Sequence, residues 1–87
     1  MKIFNGQNGC SVKLVSNGIF YYSNPNNAQF ARHKKIQNIY VYKNTSLYVA
    51  DQNGRTIFKI SKDNFPASIW DDLCKQTILG WGKFWGQ

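Results

Sequence analysis

Chemically reactive side chains are scarce in this sequence, which has no glutamate, one histidine, two cysteines and four aspartates. A metal site needs several ligands at workable spacing, and neither such a group nor a glycine-rich phosphate loop is visible. The carboxylates of Asp71 and Asp72 would point about 100° apart on a helix, which does not suit a catalytic pair. A thiol paired with His33 is conceivable, but these few residues are unremarkable by chance. The composition therefore predicts a protein that is not an enzyme and holds no metal or cofactor.

Long apolar runs are missing as well. No stretch approaches the roughly 20 apolar residues of a membrane span, and the opening "MKIFNGQNGC" lacks the apolar run of a signal peptide. Cys10 and Cys74 lie far apart in the chain, and two reduced thiols are favoured over a single disulfide, which stays open. These features predict a cytoplasmic protein with no membrane partner.

Acidic residues are scarce as well: the sequence has eleven lysines and arginines but only four acidic residues, which gives a net charge of +7. Residues 1–50 hold six basic residues and no acidic one, whereas residues 51–87 hold five basic and four acidic residues. A one-sided field of this kind attracts polyanions and steers their approach. The charge therefore favours nucleic acid, or a complex that contains it, as the partner.

The remaining composition predicts a small folded domain spanning residues 1–87, since 43% of the residues are hydrophobic and 16% are aromatic. We expect an α+β fold with an antiparallel meander of about five strands over residues 12–61 and a helix over residues 64–79. A glycine-rich aromatic tail follows at residues 80–87. In architecture alone this resembles PH-like and similar small α+β folds, a likeness that transfers no function.

Asn-Gly pairs at Asn17-Gly18 and Asn53-Gly54 predict two hairpins with two-residue type I′ turns, in which both central residues have positive φ. The expected cross-strand partners are Ser16–Ile19, Val15–Phe20, Leu14–Tyr21 and Lys13–Tyr22 in the first hairpin, and Val49–Phe58, Leu47–Ile60 and Tyr48–Lys59 in the second. Val12, Leu14, Ile19 and Tyr21 would then face the core.

Other segments give weaker signals. Residues 23–37 are expected to be a long polar connection, with a turn around Pro25 and a short helical turn over residues 28–34. The register of "IQNIYVY" on "LYVAD" leaves open whether Tyr40 and Tyr42 point inward or outward. Helical spacing predicts a buried stripe of Ile69, Trp70, Leu73 and Cys74.

Cations and aromatic rings on one sheet face are the strongest functional signal, since single-stranded nucleic acid is bound by cations at phosphates and rings at bases. Phe20 is expected on that face, and the basic run "RHKK" on a flanking loop. The alternative is that the rings belong to the core beneath the helix. The predicted nucleic-acid-binding residues are Lys13, Tyr22, Arg32, Lys34, Lys35, Lys43, Tyr48, Arg55 and Lys59.

The tail suggests a second function. Trp81, Phe84 and Trp85 either fold back onto the core or anchor a protein partner, because tryptophan is favoured at interface hot spots. An inhibitor, immunity or adaptor protein is therefore the alternative, including a phage or mobile-element inhibitor of host defence. A homodimer formed through a sheet edge is compatible with either function.

A third, less favoured function is RNA cleavage. The chain resembles RelE-like ribonuclease toxins in size and basicity, and that family uses lysine, arginine and tyrosine in place of histidine pairs. The resemblance implies a catalytic role for such residues here. However, the family opens with helices between its first strands, whereas this chain opens with a hairpin.

Overall fold

The computed structural model of the protein describes residues 1–80, which form seven strands, two short 3₁₀ turns and one α-helix. Strands β1 to β4 make a four-stranded antiparallel sheet in sequence order, and β5 to β7 make a three-stranded one. The 3₁₀ turns lie at His33–Lys35 and Lys62–Asn64. The elements are β1 (Lys2–Asn5), β2 (Ser11–Val15), β3 (Gly18–Asn24), β4 (Asn27–Arg32), β5 (Ile36–Tyr42), β6 (Ser46–Asp51), β7 (Thr56–Ser61) and α1 (Ala67–Gly80).

One hydrophobic core joins the inward faces of both sheets to α1. The helix contacts β1 and β5, whereas β4 lies against β7, so the sheets meet along one side and the helix closes the other. The predicted helical stripe is confirmed, with Trp70 and Leu73 buried and Ile69 and Cys74 packed at the margin of the core. The buried strand residues include Val12, Leu14, Ile19, Tyr21, Ala31, Leu47, Val49, Phe58 and Ile60.

The α+β class is confirmed, but the expected count of about five strands is wrong, because the structure has seven strands in two sheets. The two additional strands are β1 and β4. Each buries a single residue, Phe4 in β1 and Ala31 in β4, so neither shows the alternation that marks a strand in a sequence. The polar connection expected over residues 23–37 is therefore mostly strand, although the turn around Pro25 is present, with Asn24 paired to Asn27.

The first hairpin has the predicted faces but different partners, because Lys13 pairs with Phe20 rather than Tyr22. Each residue meets a partner two positions away from the expected one. Since side chains alternate with a period of two, this shift leaves the inward and outward sets unchanged. The observed pairs are Val15–Gly18, Leu14–Ile19, Lys13–Phe20, Val12–Tyr21 and Ser11–Tyr22.

The second hairpin has the predicted register but a wider turn. Only Gly54 of the Asn53-Gly54 pair has a positive φ, +78°, so the turn is not type I′. The Asp51 side chain organises it, since Oδ1 accepts hydrogen bonds from the backbone N–H groups of Asn53 at 2.9 Å and Arg55 at 3.0 Å. A register shift between Val49 and Ala50 accommodates the wider turn. The confirmed pairs are Leu47–Ile60, Tyr48–Lys59 and Val49–Phe58.

Turns with two positive φ values occur elsewhere among the described residues, at Asn8-Gly9 and Lys43-Asn44. Each is closed by a backbone hydrogen bond of 3.0 Å from the fourth residue to the first. Both satisfy the geometry of a type I′ turn. The second turn connects β5 to β6 and contains a lysine at φ +52°, a conformation that costs an L-residue strain.

The open register of β5 is resolved in the structure. Ile39 pairs with Val49 and is buried, and Val41 packs against the core. Tyr40 and Tyr42 therefore point outward, where 39% and 51% of their surfaces are exposed.

Gly18 generates a testable prediction about the fold. A Cβ at this position would meet the carbonyl oxygen of Ala31 and would lie 2.7 Å from Cζ of Phe30. We expect Gly18→Ala to lower the free energy of unfolding by about 1–3 kcal/mol, because strand β4 would have to move away. Chemical denaturation followed by circular dichroism measures this change.

The matched control is Gly54→Asn, at a site where a Cβ meets nothing within 4 Å but φ is +78°. Asparagine tolerates a left-handed conformation, so this substitution should cost less than about 1 kcal/mol. A Gly18→Ala protein as stable as the wild type would show that β4 does not pack closely on β3.

Candidate nucleic-acid interface

A row of aromatic rings lies on the outward face of the four-stranded sheet, and we call Phe20, Tyr22 and Phe30 the ring row. The centroids of Phe20 and Phe30 are 4.4 Å apart, and those of Phe20 and Tyr22 are 6.4 Å apart. All three side chains are half-buried. The ammonium of Lys13 lies 5.1 Å from the centroid of Tyr22, at one end of the row. Strands β1 to β4 contain no acidic residue, because residues 1–50 have none.

A basic turn, residues 32–35, lies at the other end of the ring row. Arg32 pairs with Gly18 on the outward side of β4, and the 3₁₀ turn follows directly. The backbone N–H of His33 donates to the carbonyl of Asn17 at 2.7 Å, which fixes the basic turn beside the β2–β3 loop. The side chains of Arg32, Lys34 and Lys35 are exposed.

A groove runs between β4 and β7, where the outward faces of the two sheets meet. It has a volume of about 520 Å³ and lies beside the basic turn. Phe30 contributes to both the groove and the ring row, so the two are continuous. The residues that line the groove are Phe30, Ala31, Arg32, Lys35, Asp51 and Ile57.

A second aromatic cluster, the tyrosine patch of Tyr40, Tyr42 and Tyr48, lies on the outward face of the three-stranded sheet. The rings of Tyr40 and Tyr48 are stacked at 5.3 Å with an interplanar angle of 5°, and Tyr42 meets Tyr48 edge-on at 6.2 Å. Lys43 lies 5.3 Å from the centroid of Tyr42, and Lys59 lies 6.0 Å from that of Tyr48. The patch therefore combines rings that pack on one another with cations that already contact them.

The structure divides the predicted binding residues between these places. Lys13 and Tyr22 lie on the ring-row face, with Arg32, Lys34 and Lys35 beside it. In contrast, Tyr48 and Lys59 lie on the other sheet, so the expectation of a single sheet face is wrong. Lys43 lies in the β5–β6 turn and Arg55 in the β6–β7 turn. Trp81, Phe84 and Trp85 lie outside the described residues.

Sequence reasoning missed Phe30 and the groove. Phe30 is in β4, a strand with a single buried residue, and its contact with Phe20 across the β3–β4 hairpin becomes apparent only once that strand is recognised. Asp51 and Ile57 reach the groove only because β4 lies against β7, a long-range contact without a local signal. The one available clue was the aromatic character of position 30 within "NAQFAR".

The cysteines show no sign of activation. Cys10 is buried and its Sγ donates to the Ser23 carbonyl at 3.0 Å, and the two thiols are not joined. Burial, together with the carboxylate of Asp71, raises the pKa of the Cys74 thiol to about 11. A thiol with a raised pKa is a poor nucleophile at neutral pH. Within residues 1–80 no three His, Cys or Asp side chains are grouped to hold a metal ion, and no helix has the length and hydropathy of a membrane span.

Lys43 generates a prediction about the tyrosine patch. Its φ of +52° strains a lysine, whereas asparagine adopts this conformation readily. We expect Lys43→Asn to raise the free energy of unfolding by about 0.5–1 kcal/mol while removing a cation from the patch. The control Lys59→Asn makes the same charge change within β7, where no such strain exists, and should not stabilise the protein. Thermal and chemical unfolding of both variants measure the difference, and equal effects would contradict the account of the turn.

The raised pKa of Cys74 predicts how the stability of the protein and the reactivity of this thiol depend on pH. Because its pKa is raised to about 11, the thiol of the folded protein stays protonated where the unfolded thiol has ionised. The contribution of Cys74 to stability is therefore complete below about pH 9 and is lost as the pH rises toward about 11. Alkylation of Cys74 by iodoacetamide, followed by peptide mass spectrometry, should increase in rate up to about pH 11 in the native protein and level off about two units lower in urea. Identical pH profiles would refute the raised pKa.

The chain matches no protein-family model, no curated protein and no solved structure. Two antiparallel sheets with one helix form an architecture that can support unrelated activities, so the fold does not decide among them. The surface features that bear on function are therefore the ring row, the basic turn, the groove and the tyrosine patch.

Proposed function

We propose that this protein is a non-catalytic module that binds single-stranded nucleic acid, alone or within a nucleoprotein complex, through the ring row and the basic turn. The main support for this function is the arrangement of rings and cations on one sheet face. Half-buried rings lie side by side on a sheet face, with Lys13 at one end and the basic turn at the other. Protein surfaces that bind single-stranded nucleic acid without catalysis combine aromatic rings with cationic side chains.

The energetics favour this use of the surface. Each base stacked on an aromatic ring contributes about 1–3 kcal/mol to binding, so two accessible rings suffice for measurable affinity. The packing of Phe20 against Phe30 holds these rings before a ligand arrives, which reduces the entropy lost on binding. The cations attract phosphates over several ångströms, and none of the four strands of this sheet contains a carboxylate to oppose them.

The tyrosine patch favours a second candidate function, the gripping of another protein by an inhibitor or adaptor. Tyrosine is enriched at protein interfaces because it provides a large contact area at low cost in side-chain entropy. Tyr40 and Tyr48 stack on each other, so each of these two rings has one face covered by the other. A nucleoprotein complex would contact both surfaces.

Salt dependence and charge reversal test the proposed function together. We expect a fluorescent single-stranded oligonucleotide to bind with an affinity that falls steeply between low and moderate salt, because phosphate contacts release counterions. The double variant Lys34→Glu, Lys35→Glu should lose at least about tenfold in affinity at low salt. Tyr22→Ala should weaken binding at every salt concentration, by about 1–3 kcal/mol if a base stacks on that ring. Fluorescence anisotropy provides these values.

The matched control is Lys75→Glu, which reverses an exposed charge on α1, the helix that contacts β1 and β5 rather than β4. It should lower affinity much less than reversal within the basic turn. If the control weakened binding as much as the double variant, only net charge would matter and the proposed interface would be wrong. A complete lack of binding to single strands would favour the protein-binding function.

A further inference from the structure

The groove between the sheets has features that the ring row lacks. Its walls include the apolar side chains of Phe30 and Ile57 and the cations Arg32 and Lys35. Its volume of about 520 Å³ falls within the range of about 300–1,000 Å³ that is typical of small-ligand sites. A nucleotide offers matching chemistry, since its base is flat and apolar on both faces and its phosphate is anionic.

Asp51 is the single acidic residue among the six described residues that line the groove. Its Oδ1 atom is engaged by the backbone N–H groups of Asn53 and Arg55. Both of these hydrogen bonds are made to Oδ1, and a carboxylate has a second oxygen, Oδ2, that can also accept. The two backbone hydrogen bonds orient the carboxylate, and Oδ2 takes part in neither of them.

A carboxylate at this position is a poor neighbour for a phosphate but a good acceptor for an amino group. Cytosine presents the exocyclic N4 amino group as a donor, and aspartate accepts from it, whereas thymine and uracil carry a carbonyl oxygen at the same place. An acceptor that faces a carbonyl oxygen is left unpaired and repelled. A pyrimidine held against this carboxylate would therefore be favoured if it carried an amino group in place of the carbonyl oxygen.

We propose that the groove takes one base of the bound strand and that Asp51 selects a base carrying an exocyclic amino group, cytosine over thymine. This inference rests on the proposed function, because the strand reaches the groove from the ring row that shares Phe30 with it. In this arrangement Phe30 and Ile57 contact the base, and Arg32 and Lys35 neutralise the adjacent phosphate.

Two fluorescently labelled oligonucleotides of about ten nucleotides, one of deoxycytidine and one of thymidine, test the inference at neutral pH. The wild-type protein should bind the cytosine strand roughly fivefold more tightly or better. Asp51→Asn keeps an oxygen acceptor for the two backbone N–H groups and replaces the other oxygen with an amide donor, so the ratio of the two affinities should fall to about one. Because both affinities are measured on the same variant, the effect of the lost negative charge cancels in the ratio.

Asp72→Asn is the matched control, since it makes the same charge change at an exposed position of α1 and should leave the ratio unaltered. Thermal unfolding of both variants shows whether the β6–β7 turn survives. Equal affinity of the wild type for the two strands, or a preference that persists in Asp51→Asn, overturns the inference while the proposed function stands. Failure to bind either oligonucleotide overturns both together.

Discussion

Strand alternation is the constraint on which the surface of this protein depends. Burial of Val12, Leu14 and Ile19 fixes one face of the β2–β3 hairpin against the core, so the residues between them must face outward. In most small domains those positions hold polar side chains. Here they include Phe20 and Tyr22, which remain half-buried because they lie on the side of the sheet that faces away from the core. The exposure of the ring row is thus a consequence of how the core packs.

The same constraint separates the charges. All the acidic residues lie beyond residue 50, in the β6–β7 turn, the loop before α1 and the helix itself, whereas the outward face of the four-stranded sheet is made from residues that precede them. Contact between β4 and β7 then brings Asp51 to the margin of that otherwise basic surface. A basic face attracts any polyanion, and in the proposed binding mode a single acceptor at its edge would add a means of selection.

Local signals predicted the fold where burial alternated strongly, as in the second hairpin and the helical stripe around Trp70. They failed where the decisive contact was long-range. Strand β4 buries only Ala31, so the aromatic residue at position 30 was its one clue in the sequence, and the groove depends on the long-range contact of β4 with β7. The Asn-Gly rule also misassigned both turns: at the first, Gly18 provides room for the ring of Phe30 rather than a positive φ, and at the second only Gly54 has a positive φ. The inward and outward residues of the first hairpin were nevertheless predicted correctly, because a register shift of two residues leaves each side chain on the same face of the sheet.

The central claim is that the ring row, and not the helical side of the molecule, meets a single strand. Titration of an isotopically labelled protein with a short single-stranded oligonucleotide, followed by amide chemical shifts in two-dimensional NMR, tests it most directly. The account predicts that the largest shifts fall on β2, β3 and β4 and on residues 32–35, and that α1 changes little. Shifts concentrated on α1 or on the tyrosine patch, with the ring row unaffected, would contradict it.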